Sequence, residues 1–246
     1  MTAVVIGGTG MYSWPGLANV TTRSVATPFG APSAEFLCGT WHGVPVAFLA
    51  RHGIEHQHLP HQVNYRANLF ACRELGATAV LALNTVGSLC PDLPPGMLGL
   101  PDQVIDYTWG REHTFAGDLE IPAVHAEMTA PYDDALRSQL LACDRHGAIG
   151  RAEDCVYGAV QGPRLETAAE VRRLGRDGCH VVGMTGMPET VLARELGLSY
   201  ACVTITANWA AGYGAAGPIV LEDVLEVVEG ALGKAQQLIS DWLAAG

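Results

Sequence analysis

The sequence predicts an α/β fold arranged as a three-layer sandwich, and three observations predict it. Short β-branched apolar runs recur along the chain, and amphipathic helical patterns lie between several of them. Hydrophobic residues make up 49% of the 246, enough to bury one substantial core. With no internal repeat, low-complexity tract or charge block, residues 1–246 read as one domain.

The elements follow in order. Ala3 to Ile6 is a buried strand that runs into Gly7, and Val44 to Leu49 is a second. Asn64 to Leu75 has helical periodicity, and Thr78 to Leu83 returns to a buried strand. Pro91 to Pro101 holds four prolines and Gly96, and reads as a loop because the apolar pattern resumes on both sides. Val156 to Val160, His180 to Val182 and Tyr200 to Ile205 have the length of strands. Glu166 to Leu174 and Glu189 to Leu196 read as helices, the latter with Pro188 where a helix begins. The clearest helix is the last: Leu221, Val224, Leu225, Val228 and Leu232 share a face, while Glu222, Asp223, Glu226 and Glu229 lie elsewhere.

Composition removes several function classes. A net charge of −11, from 14 basic against 25 acidic residues, opposes broad binding to nucleic acid or anionic membranes, though not capture of one small anion in a pocket. The run from Ala77 to Leu83 soon meets Asn84, Gly87 and Ser88, far short of the roughly 20 apolar residues that span a bilayer. Seven cysteines, an odd number with no C-x-x-C pair, argue for reduced thiols over a disulfide framework. Met1 leads directly into a strand-like run, so a cytoplasmic protein is expected.

The chemistry-bearing motifs cluster at expected strand ends. Gly7-Gly8-Thr9-Gly10 lets backbone N–H groups approach an anion and adds the Thr9 hydroxyl. It lacks the spacing of a dinucleotide or Walker loop, and a ligand-free tight turn would look the same. Arg51 offers a forked cation suited to phosphate, and His52 a further donor. His56, His58 and His61 follow, but their spacing matches no metal-ligand pattern, so surface or packing roles are expected. Asn84-Thr85-Val86-Gly87-Ser88 reads as a second Gly-containing turn, either an anion cradle or a hydroxyl-capped turn. Gln161-Gly162-Pro163-Arg164-Leu165-Glu166-Thr167 leads into a helix whose first turn would hold Glu166 on polarity grounds alone. Met184 by itself reads as core, and Asn208 by itself as a turn residue.

Their joint order is more specific than any one of them. Gly-Gly-Thr-Gly, Arg-His-Gly, Asn-Thr-Val-Gly-Ser, Gln-Gly-Pro-Arg-Leu-Glu-Thr, Gly-Met-Thr-Gly-Met-Pro-Glu and the late Asn208 resemble the purine nucleoside and methylthioadenosine phosphorylase family from about Val4 to Leu232. The resemblance implies a mixed central sheet and phosphorolysis of a purine nucleoside, with inorganic phosphate as co-substrate and no metal or organic cofactor. It implies phosphate contacts from Thr9, Arg51, His52, Asn84, Thr85 and Thr185, and ribose packing on Met184. Leu165, Glu166, Asn208 and Ala210 match the base-reading positions. Adenine-specific relatives carry Asp where Asn208 and Ala210 stand. Asn208 with Glu166 fits a 6-oxopurine instead: Glu166 accepts from N1–H, and Asn208 donates to N7 or O6 as the base leaves.

Relatives that cleave ordinary inosine place a His where Leu221 stands. Leu221, Val224 and Leu225 form an apolar patch suited to a methylthio group, although the same periodicity would pack the helix on the sheet. His125 resembles a residue that the family delivers from a neighbouring subunit, which implies the family's homotrimer. Together these positions predict a 5′-methylthio 6-oxopurine nucleoside as substrate. The alternatives are a general inosine and guanosine phosphorylase, a methylthioadenosine phosphorylase, and a catalytically silent purine or phosphate binding module.

Overall fold

The structure, a computed structural model, describes residues 2–117, 125–214 and 217–245. Among the described residues the strands are β1 (Ala3–Gly7), β2 (Ala18–Arg23), β3 (Phe36–Trp41), β4 (Val44–Ala50), β5 (Ala79–Ser88), β6 (Leu98–Gly99), β7 (Gln103–Asp106), β8 (Ile149–Arg151), β9 (Val156–Ala159), β10 (Val181–Gly183) and β11 (Tyr200–Trp209). The helices are α1 (Tyr65–Glu74), α2 (Asp134–Cys143), α3 (Ala168–Arg176), α4 (Glu189–Glu195) and α5 (Leu221–Ala245). The strands form one mixed sheet whose main path runs β2-β3-β4-β1-β5-β10-β9-β7, with β11 on β5 and β6, and β8 on β6.

Alternation along the central strands makes the three layers. Val4 and Ile6 of β1, Val80 and Ala82 of β5, and Cys202 of β11 pack with Leu69 of α1 and Leu192 of α4 on one face. Ala3 and Val5, Leu81 and Leu83, and Val203 and Ile205 pack with Leu136 of α2 and Leu238 of α5 on the other. A smaller cluster joins Val171 and Leu174 of α3 to Val182 of β10.

The sheet changes partner along one edge of β5, and that change positions the site. β11 runs parallel to β5 from Val80 to Ser88. On the opposite edge β1 pairs in parallel only as far as Ala82, and β10 pairs antiparallel only at Gly87 and Ser88. Between them that edge of β5 is open over residues 83–86, a switch point of the kind at which α/β sheets hold ligands. The expected turn at Asn84 to Ser88 is therefore corrected. The segment remains strand because β11 supports it throughout.

Other departures have local causes. β2 is exposed along its length and β3 carries Cys38, Gly39 and Thr40, so neither shows a buried-strand pattern in sequence. Only Leu136, Leu140 and Cys143 of α2 are buried, too narrow a stripe to stand out. Helix α3 begins one residue after its cap: the Thr167 hydroxyl accepts from the Glu170 backbone N–H, while Glu170 accepts from the Thr167 N–H. Glu166 consequently precedes the helix instead of opening it.

Candidate active site

The open edge of β5 is filled by Arg51, whose side chain has no solvent exposure. Its Nη1 donates to the Leu83 carbonyl at 2.9 Å, a backbone acceptor left by the departure of β1. Nε and Nη2 donate to the two carboxylate oxygens of Glu189 at 2.7 and 2.8 Å. Burial works against the guanidinium charge, but Glu189 overrides it and holds the group above its ordinary pKa. Nη2 also donates to Asn84 Oδ1 at 3.2 Å, and Asn84 Nδ2 donates to the Thr185 hydroxyl at 2.8 Å. Thr85, next along β5, donates its hydroxyl to the Thr9 carbonyl at 3.3 Å. Thr9, Arg51 and Thr185, from the turns after β1, β4 and β10, thus meet Asn84 and Thr85 at the open edge of β5.

Glycine is required where the first turn enters this cluster. A Cβ on Gly8 would lie 2.6 Å from the Leu83 carbonyl oxygen and 3.2 Å from Arg51 Nη1. Gly10, at φ +84°, would set a Cβ 2.9 Å from Val228 of α5. The turn is therefore wedged between the Arg51 guanidinium and the last helix.

His52 lies beside this cluster, with its Nδ1 2.8 Å from the His58 carbonyl, which can only accept. Burial, helped by the Arg51 charge, lowers its pKa to about 4. The neutral ring accordingly carries its proton on Nδ1 and leaves Nε2 as an acceptor. That corrects the sequence expectation of a second donor. His56 stacks on His52 at 4.5 Å between ring centroids, and the Tyr12 hydroxyl lies 3.1 Å from His56 Nδ1, so His56 joins the first turn to the Arg51-His52 segment.

The positions expected to read the base lie on the neighbouring strand and loop. Asn208 pairs with Gly87 across β11 and β5, just past a register shift after Thr206. A Cβ on Gly87 would meet Asn208 Nδ2 at 3.4 Å and the Ala210 Cα at 3.3 Å, so Gly87 admits this close approach. One amide hydrogen of Asn208 is spent on the Trp209 carbonyl at 2.7 Å, which orients the other. Ala210 is buried, with its N–H donating to the Ser88 carbonyl.

Two depressions meet at Gly217, Pro218 and Ile219. One, of about 390 Å³, is walled by Leu165, Glu166, Ala211 and Gly212. The other, of about 230 Å³, is walled by Asn208, Trp209, Asp223 and Val224. Burial raises the pKa of Glu166, with the Glu170 charge adding to the rise.

The remaining expected positions are less assembled. Met184 is half-buried, and a Cβ on Gly162 would come within 2.5 Å of its sulfur, so the residue expected to pack the ribose rests against the motif at residues 161–167. Val224 lines the Asn208 depression, whereas Leu225 is 44% exposed and lies outside it. Leu221 opens α5, but its side chain lies outside those described. His125 is exposed, just after the undescribed residues 118–124.

Comparison with known proteins now decides the family. The sequence model of the phosphorylase superfamily matches residues 2–244. The chain belongs to the phosphorylase superfamily. It is 50% identical over 242 residues to a probable S-methyl-5′-thioinosine phosphorylase of Xanthomonas campestris pv. campestris, covering 98% of this chain and 96% of that one. It is 39% identical to a probable 6-oxopurine nucleoside phosphorylase of Dictyoglomus turgidum, covering 98% and 90%. Among solved structures, methylthioadenosine phosphorylase of Schistosoma mansoni in complex with adenine superposes with a TM-score of 0.92 at 31% identity, covering 99% and 91%.

Sequence reasoning about this superfamily member passed over Glu189. The carboxylate reads as a helix-opening acid, yet it is fully buried, bridges Arg51 and accepts from the Tyr200 hydroxyl at 2.8 Å. The available signal was its place directly after the Gly-Met-Thr-Gly-Met-Pro motif. Tyr157 was missed as well: a Cβ on Gly183 would overlap its hydroxyl and one on Gly186 would meet its ring, so it supports the turn carrying Met184 and Thr185.

Proposed function

We propose that the chain splits S-methyl-5′-thioinosine with phosphate, giving hypoxanthine and 5-methylthioribose 1-phosphate. The observation that carries this reading is the convergence of Thr9, Arg51, Thr85 and Thr185 at the open edge of β5, one strand from Asn208. Hydroxyls and a guanidinium held by Glu189 and Asn84 at one point suit an oxyanion. The names of the relatives support both the phosphorolytic chemistry and the 6-oxopurine.

In this reading phosphate is held by Thr9, Arg51, Asn84, Thr85 and Thr185, and Nε2 of His52 accepts a hydrogen bond from the hydroxyl of monohydrogen phosphate. As the C1′–N9 bond lengthens, its electron pair passes into the purine and the ribosyl carbon becomes cationic; the purine takes a proton from solvent to leave as neutral hypoxanthine, and the phosphate ester releases one in exchange. A phosphate oxygen then bonds to C1′ from the opposite face, with inversion. Asn208 donates to N7 or O6, where negative charge builds up more in the transition state than in the ground state. Glu166 accepts from N1–H, with Leu165 and Ala210 completing the base site, and Met184 packs against the ribose. Leu221, Val224 and Leu225 form the apolar end that receives the methylthio group. His125 closes that end from a neighbouring protomer of a homotrimer.

Positioning by the anion cradle makes a metal or organic cofactor unnecessary in this scheme. Free thiols at all seven cysteines favour a cytoplasmic setting, and no helix among the described residues is long and apolar enough to cross a membrane. The test is catalytic efficiency on methylthioinosine, methylthioadenosine and inosine with and without phosphate. Methylthioinosine should lead, and base release should need phosphate. A clear preference for either rival nucleoside would overturn the assignment.

A further inference from the structure

Arg111 lies on the loop after β7, is only 9% exposed, and forms no salt bridge among the described residues. Every acceptor around its guanidinium is neutral. Nη1 donates to the carbonyls of Met184 and Met187 at 2.8 and 2.6 Å, with the Tyr65 hydroxyl at 3.4 Å. Nη2 donates to the carbonyls of Gln161 and Val160 at 2.8 and 3.4 Å, and Nε to Gln161 Oε1 at 3.2 Å. One planar fork therefore ties together the chain leaving β9 and the chain leaving β10.

Those two segments carry different parts of the substrate site. Gln161 begins the run to Leu165 and Glu166, and Met184 and Thr185 form the ribose and phosphate side. They touch directly where Gly162 makes room for the Met184 sulfur. The same loop is fixed again four residues on, where Glu195 accepts from the Thr114 hydroxyl and the Phe115 N–H, both at 2.7 Å.

Burying a cation without an acid is costly, and Lys, with donors at a single point, could not span carbonyls from two strands. Arg51, by contrast, is neutralised by Glu189. We infer that Arg111 is a positioning residue that sets the base-side segment against the ribose-side segment, so that Glu166 and Met184 grip one nucleoside at a fixed separation. This rests on the phosphorylase reading above.

The test uses the full chain with Arg111→Lys and Arg111→Gly, the latter leaving room for added guanidinium ion. Methylthioinosine and phosphate are titrated separately, and the melting temperature of each variant is recorded. Arg111→Lys should raise the nucleoside KM and lower kcat, each by about tenfold, while the phosphate KM rises by about threefold or less, because of the phosphate contacts only Thr185 lies on a segment that Arg111 ties. Guanidinium should restore activity to Arg111→Gly in a saturable way that potassium chloride of equal ionic strength does not reproduce. A merely structural role would lower the melting temperature and leave both KM values of the folded fraction unchanged, and that result overturns the inference. Should Arg111→Gly fail to fold, the KM split in Arg111→Lys decides. Inactive wild-type protein on every purine nucleoside would refute the phosphorylase reading, and an active wild type with unaltered variants would refute this inference alone.

Discussion

On the side of the site proposed to take the anion Arg51, Asn84 and Glu189 have no solvent contact, whereas on the side proposed to take the base Glu166, Asn208 and Val224 all remain partly open. The first group is locked by side-chain bonds that cross from β5 to the chain after β4 and to the turn and helix after β10. The second is framed by the loop at Gly217 to Ile219 and by the segment ahead of α3. Phosphate presents the same shape and charge whichever nucleoside is cleaved, so a rigid cradle on strands suits it. The base and the 5′ group differ between substrates, and loop-framed positions can change with little effect on the sheet.

The sharpest break of this comparison is removal of the Glu189 carboxylate. Glu189→Leu leaves the Arg51 charge buried and unpaired, and should lower the free energy of unfolding by about 3–5 kcal/mol in denaturant titrations. Substitutions at partly buried Asn208 should cost much less stability. If Glu189→Leu unfolds at the wild-type denaturant concentration, the anion side is not the rigid half of the cleft.

Asn208→Ala sharpens the same contrast from the other side. It should leave the melting temperature nearly unchanged and lower kcat by roughly 10² to 10³, the usual effect of deleting a donor that acts on developing charge. The nucleoside KM should change far less than kcat. An unaltered kcat would remove Asn208 from the chemistry.

The two halves also differed in how far the sequence revealed them. Val4, Val80 and Val203 announced buried strands because each lies in an apolar run, and α5 announced itself through the Val224-Val228 stripe. Thr9, Arg51 and Thr185 were legible because glycine or a strand end marks each position. The length of β5 was not, since Asn84, Thr85 and Gly87 look like turn residues, and pairing with β11, joined at Gly87 by β10, keeps them extended. Glu189 and Arg111 were hidden for a related reason: a charged residue in sequence reads as surface until tertiary partners bury it. His52 was read with the wrong polarity, because its tautomer depends on the His58 carbonyl, six residues away.

That tautomer gives the last and smallest of the expected effects, at the rim between the two halves. The folded protein holds His52 at a pKa of about 4, below the ordinary value of 6.5, chiefly by burial. Between those pH values the unfolded chain takes up a proton that the folded chain refuses, so stability is full above about 6.5 and declines as the pH falls toward 4. The shift corresponds to about 3 kcal/mol at most. His56 and His180 are lowered in the same direction, so the measurement is the difference between wild type and His52→Gln in denaturant titrations from pH 7 to pH 4. Wild type should lose stability more steeply over that range, and the gap between the two proteins should be constant above pH 7. Parallel curves throughout would mean that His52 is already solvated, and the rigid half of the cleft would then end at Arg51.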